Sequence, residues 1–248
     1  DKVYLANLTR KSGDGQYYDS GSQLWEFPYI FEKLSNTVQM VHVNTSFRAD
    51  KSSAIYRSLE NFSNSIVSTG KVVSMPHLET GAILIDATEM FLTDVSYVSQ
   101  NRKGQYRFDK KNSFISDLQS FPTNTEIQMK LHFKSAKWTN SITLPNSHSM
   151  MHTYHISLLD IPNTDFKPRV ADDRLGYFTT IYQDYTSTLK ETPYVRYINR
   201  WNLKKKYPDR EMSEPVEPIV YWLENTIPEE FRQAVKDGVL AWNKAFEK

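Results

Sequence analysis

The segment Glu126–Phe133 constrains the fold most, because it alternates without a break. Ile127, Met129, Leu131 and Phe133 point one way, and Glu126, Gln128, Lys130 and His132 point the other. A strand turns successive side chains to opposite faces, so this spacing makes a sheet with one covered face and one wet one. A chain built around such a strand needs partners on both sides of it and an apolar layer beneath it. Composition agrees: the 248 residues include 15 Tyr, 13 Phe and 5 Trp, residue types that suit a pleated, half-buried surface.

Further strands follow from the same reasoning. Val3–Leu8 is a short apolar run, and Thr37–Val43 carries apolar residues on both sides, as a strand covered on two faces would. Ser65–Val73 reads as a strand interrupted at Gly70, a place for a bulge. A last strand runs from about Met151 to Leu159. Gly13-Asp14-Gly15, Gly21-Ser22 and Asn101–Gly104 mark turns and loops. Ala82–Asp86 is an apolar run, after which Asp86 caps a short helix through Leu92. Phe114, Leu118 and Phe121 fall on one helical face, so Ser113–Phe121 is expected as a helix stopped by Pro122. The expected class is therefore α+β: a mostly antiparallel, sheet-rich domain over residues 1–165 with a few short helices.

Beyond residue 165 the character changes. Six of the 11 prolines lie between Pro168 and Pro228, and residues 166–215 read as an extended connector. Arg196–Trp201 and Ile219–Leu223 are strand candidates. Phe231, Ala234, Val235, Gly238, Val239, Trp242, Ala245 and Phe246 then recur at helical spacing for sixteen residues. Thr226–Glu229 has the form of a capping box with Pro in the first turn. A helix of this length owes most of its stability to packing of its apolar face. That face, with Phe231, Val235, Trp242 and Phe246, must cover either the sheet of residues 1–165 or polypeptide beyond Lys248.

Several chemistries are excluded. There is no Cys, which removes disulfides, thiolate nucleophiles and thiolate zinc sites. The net charge of +1 gives no electrostatic case for nucleic acid or an anionic membrane, and no run of 18 apolar residues spans a bilayer. The basic run Lys204-Lys205-Lys206 reads as a solvated loop. The chain opens at Asp1-Lys2-Val3 without Met, as at a processed or engineered boundary. No Gly-x-Ser-x-Gly elbow and no Gly-rich phosphate loop occurs. His148 and His152 have helical metal-ligand spacing, but Ser149 stands where a general-base Glu belongs. The surroundings read as a strand, which sets the two roughly 13 Å apart and turns His155 to the other face. Glu229-Glu230 suits a helix first turn. Asp172-Asp173 lies between Arg169 and Arg174, so charge-assisted pairs in an anchoring loop are expected there.

That last segment also carries a resemblance. Pro168-Arg169-Val170-Ala171-Asp172-Asp173-Arg174-Leu175-Gly176-Tyr177-Phe178 resembles a motif of large bacterial zinc-dependent metallopeptidases that place an uncharacterised domain ahead of a metzincin-like catalytic domain. Ile85–Asp94 is similar to a stretch of that uncharacterised domain. Tyr197–Trp201 and Glu217–Tyr221 are similar to the connector, and Val235–Glu247 to the helix that opens the catalytic domain. The resemblance implies peptide-bond hydrolysis by the full-length protein, with a zinc site on a His-Glu-x-x-His helix. That motif is not among these 248 residues. It therefore implies no catalytic residue, no metal ligand and no cofactor in this chain, with zinc in a peptidase domain after Lys248. Residues 216–248 would be the first strand and helix of that domain, and Phe231, Val235, Trp242 and Phe246 would pack between domains. The roles of Pro168, Arg169, Asp172, Asp173, Arg174, Gly176, Tyr177 and Phe178 are not implied. Partners would be the chain's own C-terminal peptidase domain and, for the full-length protein, a protein or peptide substrate. A periplasmic or secreted bacterial location fits. The alternative is a free-standing sheet-rich module that binds carbohydrate or peptide in a groove lined by Tyr17, Tyr18, Trp25, Tyr182 and Tyr185.

Overall fold

The computed structural model describes residues 2–9, 18–94, 96–101, 105–138, 143–186, 189 and 191–247. The turns read at Gly13–Gly15 and Arg102–Gly104, and Tyr17, lie outside the described residues. Two compact units divide the chain: residues 1–164 with 182–194, and residues 165–181 with 195–248.

The first unit is built on a nine-stranded sheet. Its strands are β1 (Lys2–Leu8), β2 (Gln23–Leu34), β3 (Thr37–His42), β5 (Ser65–Val72), β6 (Ile85–Asp86), β7 (Arg107–Phe108), β8 (Phe114–Ser120), β9 (Asn124–Lys134) and β10 (Ser149–Asp160). A short β4 (Phe47–Arg48) lies outside it. The order is β6-β5-β3-β2-β1-β10-β9-β7, with β8 also on β9. Every pairing recorded within this sheet is antiparallel. The expected α+β class is thus correct.

The core follows from the alternation in β9. Ile127, Met129, Leu131 and Phe133 of β9 are fully buried, as are Met150, Tyr154 and Ile156 of β10. Tyr4, Ala6, Phe27, Tyr29 and Met40 continue the same layer across β1, β2 and β3. Each large apolar side chain removed from water contributes roughly 1.5–3 kcal/mol, so this layer is the main driving force for the unit. Two one-turn helices, α1 (Thr88–Phe91) and α2 (Val98–Asn101), add Met90, Phe91 and Val98 to the layer. Ala87, not Asp86, is the residue that caps α1; Asp86 stands one residue before it, its carboxylate accepting the Thr88 N–H at 3.0 Å. Gly70 is not a bulge. It is the place where α1 comes closest: a Cβ there would lie 2.8 Å from Met90 Sδ and 2.9 Å from the Asp86 carbonyl oxygen. The irregularity in β5 falls earlier, between the partners of Met40 and Val41.

One expected element has the wrong type. Phe114–Ser120 is a strand on β9, not a helix. A spacing of four residues satisfies both periodicities, so Phe114 and Leu118 could not decide between them. The open ladder of β9 does.

The second unit is lean. It contains the start of β11 (Thr179–Asp184) and most of β12 (Tyr194–Ile198). The rest of β11 lies in the first unit, where it pairs in parallel with β4 at Gln183↔Phe47 and Asp184↔Arg48. Ile219–Leu223, a strand candidate, lies outside any strand. The C-terminal amphipathic segment forms α3 (Glu229–Leu240) and, after a turn at Ala241-Trp242, α4 (Asn243–Phe246). The capping box at Thr226 is absent. Pro228 has extended ψ (142°) and is itself the residue before the helix, so Glu229 is the first helical residue and not the third.

Candidate functional site

The motif of residues 168–178 folds as a clip. Residues Arg169–Ala171 pair antiparallel with Arg196–Ile198: the Ala171 N–H donates to the Arg196 carbonyl, and the Ile198 N–H to the Arg169 carbonyl, each at 2.9 Å. The chain then turns at Asp172. Its carboxylate accepts the Arg174 backbone N–H at 3.0 Å and the guanidinium fork at 2.8 Å (Nε) and 2.6 Å (Nη2). These bonds, the guanidinium first, hold the Asp172 carboxyl at about 2 and push Arg174 upward. The expected charge-assisted pair is therefore local, Asp172 with Arg174. With both its oxygens bonded, Asp172 is poorly placed to serve as a base or a metal ligand.

Around this neutralised pair the clip presents apolar groups to water. Arg169, Val170, Asp172, Arg174, Leu175 and Tyr177 line an open concavity, and Phe178 beside it is 91% exposed. Gly176 has ordinary φ and open space around it. The same exposure continues through the unit. Trp222 is 94% exposed, and Phe231, Trp242 and Phe246 of the α3–α4 face are 58%, 69% and 56% exposed. Val235 and Leu240 are also exposed, and among the described apolar side chains of this unit only Ile198 is buried. The basic run is held in a loop: Lys204 pairs with Asp165, Lys205 donates to the Arg210 and Glu211 carbonyls, and Lys206 lies near Glu214.

In the first unit the histidines separate, as a strand requires. His152 is buried between Tyr18, Phe133 and Tyr154. His148 Nδ1 bonds the Ser135 carbonyl at 2.9 Å, and His155 Nε2 meets Glu126 at 2.7 Å. Among the described residues no three His, Cys, Asp or Glu side chains are placed to hold a metal ion. The described residues therefore do not fit a zinc centre. The aromatics of the groove reading scatter. Tyr18 is in the core, Trp25 meets Tyr97 edge-on, Tyr182 lies under Arg48, and Tyr185 stacks near Phe47.

Sequence spacing missed a second polar cluster, on the face of β9 and β10 opposite the core. His132 Nδ1 lies 3.0 Å from Asp109 Oδ2, and His132 Nε2 lies 2.8 Å from Ser149 Oγ. Asp109 also accepts from Asn112 at 2.7 Å and Lys134 at 3.3 Å. The Asn112 amide, then His132 and Lys134, outweigh the cost of burial and hold the Asp109 carboxyl at about 2. At the other end of the same face Glu126 accepts from Ser157, Asn124 and His155. Burial raises its pKa, but these bonds outweigh it and the net shift is downward. The signals for the two clusters were Glu126 and His132 on the polar side of the cleanest strand.

A family model described as a domain of unknown function (DUF5117) matches residues 21–206. No curated protein matches the chain, and no solved structure matches it.

Proposed function

The chain belongs to the DUF5117 family of domains of unknown function, and on that footing we propose that it is the non-catalytic N-terminal region of a zinc-dependent metallopeptidase, supporting or covering the catalytic domain. One observation carries the reading. The second unit leaves many large apolar side chains in water, among them Val170, Phe178, Trp222, Phe231, Trp242 and Phe246, with almost no core of its own. Large apolar side chains exposed in such number favour a surface that meets another polypeptide. Burying the stripe residues is worth roughly 1.5–3 kcal/mol each. The motif that resembles the metallopeptidases, Pro168–Phe178, lies in the same unit, and so does the helix that resembles the start of their catalytic domain.

The peptide hydrolysis, the zinc and the protein or peptide substrate belong in this proposal to the full-length protein, at a bacterial periplasmic or secreted location. This chain's part is mechanical: a folded sheet domain joined to a surface that packs on the peptidase. A free-standing binding module has less support, since Tyr18 is withdrawn into the core and Trp25, Tyr182 and Tyr185 are engaged with other side chains.

The test is to sequence the reading frame past Lys248 and to purify the natural full-length product beside residues 1–248. A downstream His-Glu-x-x-His, one zinc per full-length chain, none per 1–248, and chelator-sensitive peptide hydrolysis only by the former support the proposal. A stop codon at position 249, or chelator-sensitive proteolysis by residues 1–248 alone, overturns it.

A further inference from the structure

We infer that Asp109, His132 and Ser149 form an acyl-transfer site in the first unit, with Ser149 as nucleophile toward small carboxylic esters that have acidic leaving groups. The inference is independent of the metallopeptidase reading, since it uses no metal and no residue of the second unit.

The geometry has the parts of a nucleophile, a base and an orienting group. Asp109 is buried and follows β7; His132 is partly covered on β9; Ser149 is exposed at the first position of β10. The backbone fixes the set. The Asp109 N–H donates to the His132 carbonyl at 2.8 Å. Ser113 Oγ donates to the Asp109 carbonyl and accepts the His132 N–H, each at 2.9 Å. An ionised carboxylate only accepts, so Nδ1 of His132 carries the proton toward Asp109. In the neutral ring Nε2 is then the acceptor, and Ser149 donates its hydroxyl proton to it. This is the role assignment by which such an arrangement is recognised on unrelated folds.

The surroundings restrict the substrate. The Ser149 N–H is already donated to the Asn146 carbonyl at 3.1 Å, so it does not serve an oxyanion. The positive charge at this end of the sheet comes from Lys134, opposite Ser149 in the β9–β10 register, and Arg107, opposite Lys134. Flexible cations stabilise a developing oxyanion less well than preorganised main-chain donors. The site therefore suits a carbonyl with a good leaving group and not an amide. Met151, two residues on and on the same face, gives the acyl group an exposed apolar platform.

The steps balance. Ser149 Oγ attacks the ester carbonyl as its proton passes to His132 Nε2. The C–O bond to the leaving group breaks, and the leaving oxygen takes that proton. Water then gives one proton to His132, adds to the acyl carbon, and releases a carboxylic acid as the proton returns to Ser149. Asp109 touches no reacting atom and is a positioning residue.

The test uses the whole chain with p-nitrophenyl acetate and, separately, a fluorophosphonate, with adducts mapped by peptide mass spectrometry. General-base assistance is worth about 10²–10⁴-fold. Ser149 is therefore expected to be modified at least about 100-fold faster than exposed Ser52 and Ser58. Ser149→Ala, which changes only an exposed hydroxyl, abolishes the adduct and the burst of nitrophenol. His132→Gln slows modification to the level of those reference serines. Asp109→Asn slows it in protein held below its melting temperature, with partial recovery in Asp109→Glu. Modification of Ser149 no faster than Ser52 and Ser58, or at an unchanged rate in folded His132→Gln, overturns the inference. If His132→Gln does not fold, comparing Ser149 with the reference serines in the unaltered chain still decides.

Discussion

Gly70→Ala is expected to destabilise the first unit, although the substitution usually helps a strand. Glycine inside a strand costs roughly 0.5–1 kcal/mol relative to alanine, so free space at Gly70 would make Ala stabilising. Space is lacking. The new methyl would lie 2.8 Å from Met90 Sδ, 3.2 Å from Met90 Cγ and 2.9 Å from the Asp86 carbonyl oxygen. Met90 can turn its thioether aside, but it is fully covered in the core. The Asp86 carbonyl cannot move without loosening the Lys71↔Asp86 pair of the β5–β6 ladder. Overpacking of this kind costs about 1–3 kcal/mol; at about 2 kcal/mol the melting temperature falls by about 4–8 °C for a unit of this size. Thermal unfolding followed by circular dichroism measures it. Met90→Ala in the same chain relieves part of the clash, so the double variant is expected to lose less than the sum of the singles, by about 0.5 kcal/mol or more. A Gly70→Ala protein as stable as the parent, or more stable, would falsify the close packing of α1 on β5.

Three further outcomes follow from the same structure. Leu131→Ala empties a fully buried site on β9 and is expected to cost about 2–5 kcal/mol in urea unfolding; a cost under about 1 kcal/mol places Leu131 outside the core. Asp109 has its carboxyl lowered from 3.8 to about 2, so its stabilising bonds are present above about pH 4 and fade as pH falls toward 2. The melting-temperature gap between the parent and Asp109→Asn should therefore narrow over that window on acidification, and a gap that stays constant removes the carboxylate's role. Arg174→Lys breaks the fork to Asp172, but the Arg174 side chain is largely exposed, so the melting temperature is expected to stay that of the parent; a clear drop makes the clip a structural element and not a presented surface.

How much of this was readable from sequence depends on where each signal lies. β9 was legible because its two faces differ in polarity at every position. β8 was not, because Phe114 and Leu118 are four apart, a spacing that helix and strand share. The start of α3 was misplaced because a proline with extended ψ precedes a helix instead of opening it. The Asp172–Arg174 pair was legible, since its partners are two residues apart. The Asp109–His132–Ser149 set was not, since three separate segments supply it and only the pairing of β7, β9 and β10 brings them together. The exposed apolar face of α3 was legible as a pattern, but what covers it is a matter of surroundings, which periodicity does not encode.

The central claim is that this face docks on polypeptide of the full-length protein. Amide hydrogen exchange across Glu229–Leu240, compared between residues 1–248 and the natural full-length product, tests it most directly. Burying even one stripe residue at roughly 1.5–3 kcal/mol predicts exchange slower by about tenfold or more in the full-length protein. Equal exchange in the two proteins would show that the face stays in water and would contradict the account.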